Sequence, residues 1–513
     1  MNRRASEAFP DVQSVLLRRP AGAEVRHVVL QVPAGRAHDA ARLLRSQPIS
    51  HGARPQGDMT CSIGFSCAGL EALKVPDEYL RVFRSLAPSF AAGAPARRAA
   101  VGDGIANQQP PQEDWPDLSL DRAHVLVTLH GPAHLVETTA CSLRDAWLAL
   151  KTTPASAPPF VALIRGAHLP PPSGQEGRWA HFGLRDDLSD IAIEPLADIP
   201  AAQQALDHRQ HAPGALLLGH PDDMRINRWA LPRAPSAVRE FFRNASFGAF
   251  RPAVQDVVAF EQAVTRWADE LLVLLGKDEP LATARQLIKA KLSGRWPDGR
   301  RIEPGTIAPS CPSRGSFCSK QDCESRADCW KKRDAYALQL LRPKASSTTP
   351  ALYEEADSLG QGCPFGSHVR RLQSRPDADG AWRPRPLLRR SVPFGPACWE
   401  QLPTDGIERG QLGHFFCADL QSQFEELLGQ WVAASPPGRD LDDRALDPLI
   451  GPHDDPSARL LLPMAGWRDV WLEGFKVFVR PRGLMYAWYP SAGALTTLLT
   501  NDFVRAEDRG PWL

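Results

Sequence analysis

Two residues in the second half of the chain have flanks that point to chemistry. His368 stands in Gly-Cys-Pro-Phe-Gly-Ser-His-Val-Arg-Arg, and Arg389 in Leu-Leu-Arg-Arg-Ser-Val-Pro-Phe-Gly. A neutral imidazole fixed behind a Cys-Pro-Phe turn can bind a metal through one ring nitrogen. An arginine set just before a Pro-Phe-Gly turn can hold a permanent cation over a small anionic ligand. Taken singly, such residues are more often surface groups. Their flanks are what distinguish this pair.

Both flanks resemble the haem-binding segments of the dye-decolourising peroxidase family. Further stretches agree in the expected order. They include Ile63-Gly-Phe-Ser-Cys-Ala-Gly-Leu, His181-Phe-Gly-Leu-Arg-Asp-Asp-Leu-Ser, Leu217-Leu-Gly-His-Pro and Asn244-Ala-Ser-Phe-Gly-Ala-Phe-Arg-Pro. Ala290-Lys-Leu-Ser-Gly-Arg-Trp-Pro-Asp-Gly, Ile407-Glu-Arg-Gly, Asp447-Pro-Leu-Ile-Gly and Tyr489-Pro-Ser follow. The resemblance implies two ferredoxin-like α+β domains enclosing haem b. Residues 1–185 and 241–513 would form them, and 186–240 would be an inter-domain segment carrying a distal aspartate. It also implies hydrogen peroxide and an aromatic electron donor as partners.

The family pattern places His368 below the haem iron and Arg389 above it, and maps its distal acid–base residue onto Asp186. A carboxylate with an ordinary pKa can accept a proton from peroxide in mildly acidic solution. A guanidinium stabilises the charge that develops as the O–O bond breaks. A ligating histidine donates its other N–H to a carboxylate or carbonyl, and relatives suggest Asp447 for this. The competing reading of Asp447 is a turn initiator before proline. Arg390 would point elsewhere, and His181, His220 and His414 are best read as structural.

Two departures from the family pattern matter. Asp187 stands where the signature Gly-x-x-Asp-Gly has its second glycine, a position that a positive φ would strain. After Glu408-Arg-Gly410, relatives wall the distal pocket with a leucine and a phenylalanine, whereas this chain offers Gln411 and Gly413. A roomier, more polar pocket is expected. The Cys311, Cys318, Cys323 and Cys329 cluster, in an insertion at about 300–350, is open to zinc, disulfides or free thiols. It lacks the two-residue spacing of zinc knuckles.

These residues need positioning elements, and the chain is long enough to build them. Its 513 residues can bury more than one core. Lys plus Arg total 60 against 59 for Asp plus Glu, a balance that argues against nucleic-acid partners. No apolar run spans a bilayer, so no membrane partner is expected, and a homo-oligomer stays open. Arg3-Arg4 lacks the apolar core of an export signal, so a cytoplasmic location with reduced thiols is expected. Alternation predicts strands near residues 25–32, 123–129, 475–479 and 485–488. Apolar spacing predicts helices near 37–44, 135–151 and 254–275.

Three function classes follow. The leading one is a haem peroxidase acting on bulky phenolic or dye-like donors. A haem-dependent oxygenase or biosynthetic oxidase, or a non-catalytic haem carrier or sensor, are the alternatives that an altered distal pocket favours.

Overall fold

The computed structural model describes residues 7–53, 57–103, 120–150, 159–188, 191, 193, 211–275, 280–302, 357, 360–372, 383–399, 401–433, 446–453, 457–463 and 470–504. The four clustered cysteines lie outside these residues.

Strands β1 (Glu24–Leu30), β2 (Thr60–Phe65) and β3 (Val125–Gly131) are rich in β-branched residues and almost wholly buried, while β4 (Val161–Ala167) at the edge is half-buried. They pair in the order β4-β1-β3-β2, all antiparallel. With a helix after β1 and another after β3, this is the ferredoxin-like arrangement. The second helix runs Ala133–Leu148, beginning after Pro132, and packs Val136, Ala140, Leu143 and Trp147 inward.

A small hairpin, β5 (Trp179–Ala180) and β6 (Leu184–Arg185), follows. The pattern of the first half then recurs with β7 (Ser246–Gln255), β8 (Leu388–Arg389), β9 (Val392–Phe394) and β10 (Gly410–Cys417). The short pair β11 (Arg459–Leu462) and β12 (Val470–Glu473), then β13 (Val479–Pro481) and β14 (Met485–Tyr489), complete the strands. The main sheet continues from β2 as β14-β7-β10-β8, which repeats the ferredoxin-like order. The helix expected from residue 254 starts at Val257, because β7 runs on to Gln255. Of the strand expected at 475–479, only Val479 pairs. Phe475 and Phe478 instead plug an apolar cluster beneath the helix Val257–Leu275.

The two halves meet at Trp488 of β14 opposite Phe65 of β2. The Tyr489 ring crosses this junction. A Cβ on Gly64 or Gly248 would lie 2.6 Å from it, so only glycine permits the approach. At the other end, Gly166 of β4 abuts Leu412 and the Pro393 carbonyl. The sheet therefore curls until its edges meet. Its interior holds Val29, Leu126, Phe250, Leu412, Phe416 and Tyr489.

Side chains alternate across each strand, so the closed sheet sorts them into an inner and an outer set. His414 lies inside, donating to or accepting from the Tyr489 hydroxyl at 2.7 Å. Arg390 also points inward, to the Val15 carbonyl at 2.9 Å. Gln411, Gly413 and Phe415 belong to the outer set, with Arg389 opposite Phe415 and Arg251 opposite Gly413. One outer face of β8-β10-β7 thus carries three of the residues singled out in the sequence.

Candidate active site

Asp186 leaves β6 with its amide donating to the Arg178 carbonyl at 2.7 Å. Its carboxylate pairs with the Arg389 guanidinium. Burial, and secondarily the cation of Arg19, lower the Arg389 pKa to about 10, which leaves it charged at neutral pH. Yet 31% of the Arg389 side chain stays accessible. The Arg389–Asp186 pair thus borders a partly accessible space.

Asp187 does not share this space. It is not among the residues with positive φ, so the strain expected of an Asp in place of glycine is absent. Gly183, the first glycine of the signature, does take a left-handed φ of 67°. Asp187 instead binds Arg185 at 2.7 Å and accepts the Arg178 amide at 3.3 Å.

His368 opens the short helix His368–Leu372. Its Nδ1 meets Asp447 Oδ2 at 2.8 Å, and Nε2 has no partner among the described residues. Asp447 is fully buried, and its second oxygen accepts the amides of Leu449 and Ile450, both at 3.0 Å. It is therefore turn initiator and imidazole partner at once. Burial opposes charging His368, but the Asp447 charge and hydrogen bond outweigh it and hold the imidazole pKa above its ordinary value. Burial likewise opposes ionising Asp447, and His368, Arg371 and the Ile450 amide together hold its pKa below the usual range. A tautomer that donates Nδ1–H to a carboxylate presents a more basic Nε2 to a metal.

At Gly413 a neighbouring side chain takes up part of the space that a glycine leaves open. A Cβ on Gly413 would lie 2.6 Å from the Arg251 carbonyl oxygen and 2.9 Å from the Phe415 ring. The Phe415 ring thus leans over Gly413. Sequence reading missed it because its role depends on strand register. Gln411 remains polar, and its buried Oε1 has no hydrogen-bond partner. Gly413→Ala should destabilise the fold by about 1–3 kcal/mol through overpacking, read by calorimetry as a lower thermal midpoint. An unchanged midpoint would mean that β7 and β10 have room to separate here.

The other histidines are structural. His181 Nε2 bonds the Phe394 carbonyl at 2.7 Å, and His220 Nε2 bonds Asn244 at 2.6 Å.

No family model matches the chain. It is 25% identical over 460 residues to a dye-decolorizing peroxidase of Mycena epipterygia, covering 85% of this chain and 75% of that protein. It is 23% identical over 295 residues to peroxidase 2 of Mycetinis scorodonius, covering 55% of this chain and 47% of that protein. In fold it is similar to an ancestral D-type dye-decolorizing peroxidase, with a TM-score of 0.64 at 20% identity, covering 95% and 98% of the two chains. A DyP-type peroxidase of Anabaena gives 0.65 at 16% identity, with 96% and 95% covered. Closed ferredoxin-like halves, together with sequence likeness along most of the chain, define an α+β peroxidase fold. The chain is thus similar to dye-decolourising peroxidases in sequence over most of its length and in fold over nearly all of it.

Proposed function

We propose that this protein is a haem-b peroxidase that reduces hydrogen peroxide and oxidises bulky phenolic or dye-like donors. The observation that carries this is the coexistence of two pairs, His368 with the buried Asp447 and the half-buried Arg389 with Asp186. The residues fit haem: His368 keeps Nε2 for a metal, and 21% of its side chain stays accessible despite its deep position. Haem held there would supply the iron and the oxidising equivalents. His368 would hold the haem iron in this reading, and Asp447 orients it and raises its basicity.

Asp186 takes a proton from peroxide at its carboxylate and returns it to the departing oxygen. Arg389 stays charged throughout and offsets the negative charge that grows on that oxygen. Their ion pair keeps both groups aimed into one space. Gln411 and Gly413 line the same face and set its polarity. A solved dye-decolorizing peroxidase complex holds 2,6-dimethoxyphenol, which supports phenolic donors for this chain.

The division into 1–185, 186–240 and 241–513 is part of the same reading, supported by the recurrence of the ferredoxin-like order. A cytoplasmic location is part of the same reading; among the described residues Cys67, Cys141, Cys363, Cys398 and Cys417 form no disulfide. No helix among the described residues is long and apolar enough to cross a membrane.

His368→Ala tests the assignment. The variant should fold and purify largely without haem, or with a changed absorption spectrum. A wild-type haem spectrum would refute the ligand. The oxygenase reading is favoured by Gln411, whose unpartnered oxygen could orient a polar substrate. Rapid peroxide-dependent oxidation of a phenol by the loaded protein decides for the peroxidase.

A further inference from the structure

The loop that presents His368 is held by a set of buried charges not used in the chemistry above. Asp357 is only 5% exposed. Its carboxylate accepts three successive backbone amides, from Gln361 at 2.8 Å, Gly362 at 2.9 Å and Cys363 at 2.7 Å. Lys291, at the end of the helix Leu281–Ser293, caps the carbonyls of the same stretch. Its Nζ donates to Gln361 at 2.5 Å and Gly362 at 2.9 Å. Arg370, in the helix of His368, donates to the carbonyls of Asp357 and Cys363, both at 2.9 Å. Next in the chain, the Cys363 thiol and Ser367 hydroxyl lie 2.8 Å apart, and Ser367 donates to the Pro364 carbonyl at 2.7 Å.

The amides and carbonyls of residues 361–363 thus meet one buried anion and two buried cations. Buried charges on a loop are costly unless the geometry uses them, and removing one partner leaves the others uncompensated. Here every one of those bonds fixes backbone immediately ahead of the Pro-Phe-Gly-Ser turn that ends at His368. Van der Waals packing supports the same grip. A Cβ on Gly294, just past the Lys291 helix, would lie 2.8 Å from Cys363 Sγ.

We propose that Asp357 and Lys291 are positioning residues that preform the loop, so that His368 stands ready as a ligand before the cofactor arrives. The inference rests on the reading of His368 as the haem ligand. Residues supporting a metal ligand typically alter affinity by about 10- to 100-fold when removed. Asp357→Asn and Lys291→Met should therefore each speed haem transfer to excess apomyoglobin by about that factor. Glu425→Gln serves as a control, since it breaks a buried pair with Arg97 that does not touch this loop. It should leave the transfer rate unchanged while lowering the thermal midpoint.

Faster haem loss in both loop variants, with the control unaffected, supports the proposal. Wild-type haem loss in both, or an equal acceleration in Glu425→Gln, overturns it. Should Asp357→Asn fail to fold, Lys291→Met decides alone. The underlying ligand reading fails separately, if His368→Ala keeps the wild-type haem spectrum.

Discussion

Replacing Arg389 by leucine should slow the reaction of the haem-loaded protein with hydrogen peroxide by about 100- to 1,000-fold, with haem still bound. Leaving-group charge is the main obstacle to cleaving the O–O bond. A guanidinium already in place lowers it without any reorganisation. Arg389 is suited to this because burial lowers its pKa only to about 10. Leucine keeps the strand and its pairing with Phe415 but removes every donor. The same substitution frees Asp186 of its ion pair, so its carboxylate becomes harder to ionise. Asp186→Asn should also slow the reaction, since no proton acceptor remains at that atom. Asp187 is a poor substitute, being tied to Arg185. Stopped-flow mixing with peroxide checks both variants. Rates equal to wild type in both would remove these two residues from the chemistry.

The parts of this molecule that could be read from sequence are those in which local pattern decides. Runs of β-branched and apolar residues marked β1 and β3, because each buries nearly every residue. The haem-site segments announced themselves by fixed turn chemistry around His368 and Arg389. What stayed illegible depends on register and on distant partners. Phe415 gains its place over Gly413 only because β10 pairs with β7 and β8 in one particular offset. Asp357 sits in an unremarkable stretch, and its work appears only when Lys291 and Arg370 are brought around it. Asp187 looked strained from the family pattern. Its backbone accommodates it because the turn needs a left-handed residue at Gly183 and none at 187. The polar barrel interior was hidden for the same reason, since alternation says that His27 and His414 share a periodicity with apolar neighbours, but not that they meet.

Acidification should unfold this protein well before it titrates the carboxylates. His27, His130 and His414 are buried inside the closed sheet, at 1%, 3% and 0% exposure. Burial pushes His27 and His130 well below the ordinary imidazole pKa, and takes His414 to about 3. The rings also repel one another's charged forms, and Arg178 and Arg390 add to the positive field at His130. His27 Nε2, His130 Nε2 and His414 Nδ1 have no hydrogen-bond partner, so a proton added there would be unpaired. In the unfolded chain these groups bind protons below about pH 6.5. The folded state refuses them, so stability is fully present above that pH and falls as pH drops through it. Each ring loses about 1.4 kcal/mol per pH unit, and three together about 4 kcal/mol. Against a typical total of about 5–15 kcal/mol, about one to four units suffice. His181 and His168, lowered by burial to about 4, act in the same direction. His368 opposes them, since its raised pKa stabilises the fold at acid pH. It is one group against several. The thermal midpoint should hold between about pH 8 and 7 and fall steeply from about pH 6.5 to 5. A midpoint unchanged across that lower range would show that the interior rings are charged or hydrated. If it falls as expected, the acid limit of donor oxidation is set by the core of the closed sheet.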